Sequence, residues 1–241
     1  MNVTLAQIAP KLNRSNLEDH LKVIKESTAD VVVFPELSLN GYMLQDRTST
    51  DAWTEDELDS LCEASIDVDI VVGLAFREVE KVYNSAIYIS KGKIVHIHKK
   101  NHLPTYGMFE EARYFTKGNL VEAFNTSYGK TFIVVCEDVW DDEFIDKLVA
   151  QNPNLIYVLA ASPARGFCDG SLEIEDQWQN ILAKKAKATK AKVIFVNRVG
   201  FEDGLGFWGG SRVLDENGKI LHKLNNFDRI IKDVNISSLR G

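Results

Sequence analysis

The sequence predicts an α/β fold in which two β-sheets stack face to face and helices cover their outer sides. Three observations carry this expectation. Short, β-branched apolar runs outnumber segments of helical period. Central runs such as Asp69-Ile-Val-Val-Gly-Leu-Ala-Phe76 are continuously apolar, as strands covered on both faces are. Helical segments occur in both halves of the chain, which suits a layered sandwich better than a barrel.

The elements follow in order. Val3 to Ile8 alternates and lacks both a basic leader region and a long apolar stretch, so it reads as a strand and not a signal peptide. Ser15-Asn-Leu-Glu18 has the form of a capping box opening a helix with Leu17, Leu21 and Ile24 on one face. Val31 to Phe34 is a strand ended by Pro35, which withholds its N–H. A second capping box, Thr54-Glu-Asp-Glu57, opens the next helix. Strands then follow at Ile70 to Phe76, Ser85 to Ile89 and Ile94 to Ile97, the last two joined by a turn at Lys91-Gly92. Phe132 to Val135 precedes a helix near Asp141 to Ala150, whose acidic first turn suits its dipole. Leu155 to Ala160, a helix over Glu173 to Lys190, and Val193 to Val199 come next. Ser211 to Asp215, Lys219 to Leu224 and Arg229 to Val234 complete the strands. With no linker, repeat or low-complexity tract, residues 1–241 read as one domain.

Composition excludes several function classes. Apolar residues at 45% and charged residues at 26% are ordinary for a soluble protein with a packed core. A net charge of -7 argues against nucleic acid as a partner, because neutralising phosphates needs a basic face. The lysines between Lys184 and Lys192 have helical spacing and read as a solvated face. No stretch approaches the roughly 20 apolar residues that span a bilayer, so no membrane partner is expected. Three cysteines without CxxC spacing argue against a disulfide framework and for a reducing, cytoplasmic setting.

Chemistry gathers at three strand ends. Val31 to Phe34 runs through Pro35 into Glu36, Lys93 to His98 runs into Lys99 and Lys100, and Thr131 to Val135 runs into Cys136. A carboxylate, an ammonium and a thiol then share one edge. Taken alone, Cys136 reads as a small core hydrophobe and Glu36 as a loop-capping surface acid. Together, a nearby base and cation are what activate a thiol. An acid behind an apolar strand is also partly desolvated, a setting suited to a general base. Residue chemistry does not choose between Lys99 and Lys100. Cys62 reads as core, and Cys168 as a bystander or pocket-wall residue in the Gly166 to Gly170 loop. Two competing constellations stay open at this point: a metal site using His96, His98 and His102, for which no ligand set of recognisable spacing is complete, and a Cys136–His102 pair of the papain kind.

These residues resemble the nitrilase superfamily of carbon-nitrogen hydrolases, whose signature is a Glu-Lys-Cys triad. The likeness runs through Leu5-Ala-Gln-Ile8, Phe34-Pro-Glu36, Tyr83-Asn-Ser-Ala86, Lys100 to Pro104, Cys136-Glu-Asp138 and Asn197-Arg-Val-Gly200 to Phe207-Trp-Gly-Gly-Ser211. The resemblance implies an α-β-β-α four-layer sandwich that pairs as a homodimer or larger assembly by stacking sheets. It selects Lys100, which precedes a Leu-Pro pair, and adds Glu111 as a second glutamate. It further implies that Cys136 attacks an amide carbon, that Glu36 shuttles the proton, that Lys100 holds the oxyanion and that no cofactor or metal takes part.

The implied substrate is a small aliphatic amide, with nitriles as the rival acted on by the same triad. Cys136-Glu-Asp-Val-Trp140, Leu103-Pro-Thr-Tyr106 and Ala161-Ser-Pro163 resemble the glutaminase domain of glutamine-dependent NAD synthetases. That likeness makes Tyr106, Glu137 and Ser162 substrate-binding candidates, joined by Tyr42 and Trp140, and makes a glutamine-like amide the expected substrate. Ala160 and Thr105 depart from the pattern. No ATP-using domain or Gly-rich phosphate loop is visible through Gly241, so a glutaminase serving a separate synthetase, or an idle binding subunit, is the remaining alternative.

Overall fold

In a computed structural model, which describes residues 1–168 and 170–237, sixteen strands and six α-helices form. The first half holds β1 (Asn2–Gln7), α1 (Asn16–Glu26), β2 (Val31–Val33), α2 (Thr48–Asp51), α3 (Asp59–Ala64), β3 (Asp69–Glu78), β4 (Lys81–Ser90), β5 (Lys93–Lys99) and α4 (Glu111–Tyr114). The second half holds β6 (Phe124–Thr126), β7 (Gly129–Val135), α5 (Asp142–Gln151), β8 (Leu155–Ala160), β9 (Phe167–Cys168), β10 (Ser171–Leu172) and α6 (Glu173–Thr189). It continues with β11 (Lys192–Asn197), β12 (Val199–Glu202), β13 (Leu205–Trp208), β14 (Arg212–Leu214), β15 (Ile220–Lys223) and β16 (Ile230–Asn235).

Two six-stranded sheets result, ordered β16-β1-β2-β3-β4-β5 and β15-β14-β11-β8-β7-β6. In each, three central strands run parallel: β1, β2 and β3 in one, β7, β8 and β11 in the other. The continuously apolar strands serve two cores at once, because successive side chains point to opposite faces. Val31 and Val33 meet Ile133, Val135, Tyr157 and Ile194 between the sheets. Val32, Ile70 and Val72 turn outward onto Val23 and Ile24 of α1 and Leu61 of α3. On the far side Phe132, Val134, Ile156 and Phe195 cover Leu148 of α5 and Trp178 of α6. The order of layers is therefore α-β-β-α, as expected.

Several local expectations are corrected. Ser15 makes no side-chain cap; its own backbone is helical, and Asn16 folds back onto Lys11 and Asn13 instead. The Thr54 box does form, but it caps a short 3-10 turn at Glu55–Leu58 ahead of α3. The lysine-rich face of α6 is not wholly solvated, since Lys185 is buried and its Nζ lies 2.7 Å from Asp142 Oδ1. The paired short strands β9–β10 and β12–β13 and the edge strand β6 were not expected. Among the described residues no helix is long and apolar enough to cross a membrane. Residues 238–241 of the expected domain lie outside the described residues.

Candidate active site

The parallel strands of both sheets end toward one place, and their carboxyl ends carry the polar residues. Open α/β sheets bind ligands at such ends. Glu36 follows β2 after Phe34, whose N–H still pairs with Val71 O, and Pro35. The chain then turns sharply, with Leu37 at φ 50°, in the left-handed region that non-glycine residues rarely adopt. Gly73 on β3 admits this turn: a Cβ there would lie 2.4 Å from Pro35 O and 2.7 Å from Glu36 Cα.

Lys100 extends β5 by one residue, its N–H bonding Asn84 O and its C=O accepting from Gly118 N, each at 2.8 Å. Alternation along that strand separates the two lysines. Lys99 Nζ reaches outward to Glu78, 2.6 Å away, whereas Lys100 is wholly buried. Cys136 directly follows β7 and opens a 3-10 turn, Cys136–Trp140, with φ 45°. A left-handed conformation at a residue with a Cβ costs about 1–2 kcal/mol. Here it projects the thiol from the end of the strand.

Lys100 Nζ donates to Glu36 Oε1 and to Glu111 Oε1, both at 2.7 Å. Glu36 Oε1 also accepts from Asn84 Nδ2 at 2.8 Å, and its Oε2 accepts from the N–H of Ala161 at 2.8 Å. A carboxylate offers about four acceptor sites. Three are filled by these bonds. Glu111 Oε1 takes a further bond from Tyr42 OH at 2.6 Å.

Electrostatics follow from burial and these contacts. Burial pushes the Glu111 carboxyl up to about 7, against the pull of Lys100. Burial opposes the Lys100 ammonium, but Glu111, Glu36 and Cys136 outweigh it, and the group titrates well above its ordinary range. Burial and the negative field of Glu36 hold the Cys136 thiol well above its usual value, with Lys100 partly offsetting them. The thiol therefore rests protonated, in the field of a carboxylate with one open acceptor site. That arrangement can pass a proton from sulfur to oxygen as sulfur attacks an electrophilic carbon.

Tyr42, Cys136, Glu137, Trp140 and Ser162 line one narrow cavity together with Glu111 and Arg165. Trp140 packs edge-on to Trp178, centroids 5.2 Å apart. Ser162 Oγ accepts from the indoles of Trp178 (2.8 Å) and Trp208 (3.2 Å). Tyr106 stands outside the cavity wall, half exposed, and reaches the site through Glu137, to which its hydroxyl donates at 2.9 Å. The competing constellations are not assembled. His96 stacks on Phe124, centroids 4.4 Å apart, and among the described residues no group of three His, Cys, Asp or Glu side chains is placed to hold a metal. His102 faces Asp138 and Asp141. Of the other cysteines, Cys62 packs half-buried against the α1–α3 layer and Cys168 is exposed on β9.

Sequence reasoning missed Asn84, Arg165 and the Ala161 N–H. A polar residue inside the apolar strand Val82 to Ile89 was the available sign for Asn84. Arg165, exposed in a loop, carried none.

Comparison with known proteins supports this fold. The profile of the carbon-nitrogen hydrolase family matches residues 2–241. The chain is 30% identical over 246 residues to a glutamine-dependent NAD(+) synthetase of Aquifex aeolicus, covering 98% of this chain and 42% of that protein. The counterpart of Thermotoga maritima is also 30% identical, over 247 residues, with the same coverage. The chain thus spans about two fifths of the length of these relatives. Among solved structures, a glutamine-dependent NAD+ synthetase from Acinetobacter baumannii superposes with a TM-score of 0.87 at 28% identity, over 96% of this chain and 44% of that one. An amidase from Nesterenkonia sp. AN1, with acrylamide added at its active site cysteine, shares the fold at a TM-score of 0.83 and 22% identity, over 98% of this chain and 93% of its own.

Proposed function

This chain belongs to the carbon-nitrogen hydrolase family, and from that premise we propose that it hydrolyses a small aliphatic amide, glutamine-like in its far end, with release of ammonia. One observation carries the reading: Lys100 Nζ bridges Glu36 and Glu111 at 2.7 Å each, in a buried pocket whose field acts on Cys136.

Glu36 takes the thiol proton at its open acceptor site while Cys136 Sγ bonds the amide carbon. The carbonyl oxygen becomes an oxyanion. An ammonium has three N–H groups, and two are engaged, so the third is available to that oxygen. The backbone N–H of Glu137 is the second donor in this scheme. Each such donor is worth about 3 kcal/mol of barrier. As the C–N bond breaks, Glu36 hands its proton to the leaving nitrogen and ammonia departs, leaving a thioester. Glu36 then draws a proton from water, hydroxide attacks the thioester, and the expelled thiolate recovers the proton. Glu111 and Asn84 orient Lys100 and Glu36 throughout.

Two features favour an amino-acid amide. Glu137 and Arg165, opposite in charge, both line the cavity and suit an α-ammonium and an α-carboxylate. The relatives from Aquifex aeolicus and Thermotoga maritima are glutamine-dependent NAD(+) synthetases. Their greater length favours a second reading, in which the ammonia serves a synthetase activity outside these residues. An ammonia-release screen over amides, amino-acid amides and matched nitriles tests the proposal. The same screen on Cys136→Ala protein must be silent, and turnover of nitriles alone would replace the amide reading.

A further inference from the structure

Asp138 lies two residues beyond Cys136, on the same 3-10 turn, and is wholly buried. A buried carboxylate stays charged only where donors replace its lost water. Asp138 has four. Its Oδ1 accepts from the backbone N–H of Asn101 (2.9 Å), the backbone N–H of His102 (2.7 Å) and His102 Nδ1 (3.2 Å). Its Oδ2 lies 2.8 Å from His98 Nε2. All four donors fall in residues 98–102, on both sides of Lys100. One carboxylate of the cysteine turn therefore grips the segment that carries the lysine.

We propose that Asp138 is a positioning residue that sets Lys100 against Cys136, with His98 and His102 as its clamps. This rests on the reading of Lys100 and Cys136 as the oxyanion donor and nucleophile. The two groups come from different sheets, β5 and β7, so no shared strand fixes their separation. Lys100 Nζ is tied to Glu36 and Glu111, and neither belongs to the cysteine turn. Asp138 supplies the missing cross-link.

His102 extends it. Its Nδ1 faces Asp138 and its Nε2 lies 2.6 Å from Asp141 Oδ2. Carboxylates facing both ring nitrogens favour the protonated ring, and the contact with Asp138 raises the His102 pKa above its ordinary value. Asp141 in turn caps α5 by accepting from Glu143 N at 2.8 Å. The lysine segment, the cysteine turn and the start of α5 are thereby joined. Titration behaviour accords with this: burial opposes the Asp138 charge, yet the bonds from His102 and His98 outweigh it and hold the carboxyl at about 2.

The test compares wild-type, Asp138→Asn and His102→Gln proteins by two readouts. The first is the rate of iodoacetamide alkylation at Cys136, followed by peptide mass spectrometry with Cys62 as internal reference. It needs no substrate. The second is kcat and KM for ammonia release from the amide turned over fastest. Displacing Lys100 weakens the cation that favours the thiolate, so Asp138→Asn should slow Cys136 alkylation about tenfold while Cys62 is unchanged. A misplacement near 1 Å costs about 10²-fold in rate, so kcat should fall by that order with KM within about threefold. His102→Gln, a half-exposed site that leaves the core intact, should show the same pattern at roughly a third to a tenth of the size. It decides the matter should Asp138→Asn fail to fold. Wild-type alkylation rates at Cys136 in the folded variants would overturn the clamp. Absence of any Cys136-dependent amide turnover in wild-type protein would instead overturn the proposed function, while the alkylation comparison still judges the clamp.

Discussion

Lys100 meets Glu36 at 2.7 Å with neither side chain exposed to solvent. A buried pair of this kind gains little net stability, but removing one partner strands the other. Lys100→Met leaves Glu36 and Glu111 facing each other without their shared cation. It should destabilise the fold by about 3–5 kcal/mol in urea unfolding and lower kcat by about 10²-fold or more in ammonia release. A variant that keeps both properties would remove Lys100 from the site.

The turn carrying Glu36 depends on a hydrogen atom at position 73. Because a Cβ there would sit 2.4 Å from Pro35 O, against backbone rather than a movable side chain, Gly73→Ala must shift the turn. We expect a loss of about 1–3 kcal/mol of stability, with a kcat loss exceeding that of an equally destabilising substitution remote from the site. Thermal unfolding and amide turnover of the two variants, measured together, check this.

His20 supports the same loop. Its ring stacks on Phe34, centroids 4.1 Å apart, with Nε2 2.9 Å from Ser38 Oγ and Nδ1 2.7 Å from Asn16 O. Burial lowers its pKa to about 4, against the raising effects of Asn16 and Asp19. The folded state thus resists protonation that the unfolded chain accepts below 6.5. Its contribution is full above that value and is lost as pH falls from 6.5 through 4, by about 3 kcal/mol in all. His20→Gln should flatten this part of the stability–pH curve; an unchanged slope in urea titrations from pH 7 to 4 would contradict the assignment.

Glu137 and Arg165 should separate recognition from chemistry. If they hold the two charged groups of an amino-acid amide, Glu137→Gln and Arg165→Ala each raise KM for glutamine by about tenfold or more, the scale of one charge-assisted hydrogen bond. Turnover of propionamide, which lacks both groups, should change by less than about threefold. Equal losses on both amides would mean that neither residue reads the far end of the substrate.

The sequence made the layers and the three strand ends legible, because each break from apolar to polar residues marks where a strand leaves the core. Glu36 and Cys136 stand at such breaks. Residue chemistry alone did not distinguish Lys99 from Lys100; the family resemblance selected Lys100, and the physical difference lies in the register of β5 against β4, where Ser85 pairs with Lys99. Local signals misled where tertiary contacts outweighed them. Ser15 has the capping pattern but a helical backbone, and Lys185 has the spacing of a solvated face but folds under onto Asp142. The roles of Asn84 and Asp138 went unread for a different reason. Their partners Glu36 and His98 lie 48 and 40 residues away along the chain, so only the folded geometry brings them together.

The central claim is that Cys136 becomes acylated through the proton shuttle of Glu36. Intact-protein and peptide mass spectrometry of acid-quenched wild-type protein, incubated with the best amide from the screen, tests it most directly. We expect an adduct on Cys136 with the mass of the substrate less ammonia, labile to hydroxylamine and absent from Glu36→Gln and Cys136→Ala proteins, which should also release no ammonia. Ammonia release at the wild-type rate by Cys136→Ala protein, or acylation at Cys62 or Cys168 instead, would contradict it.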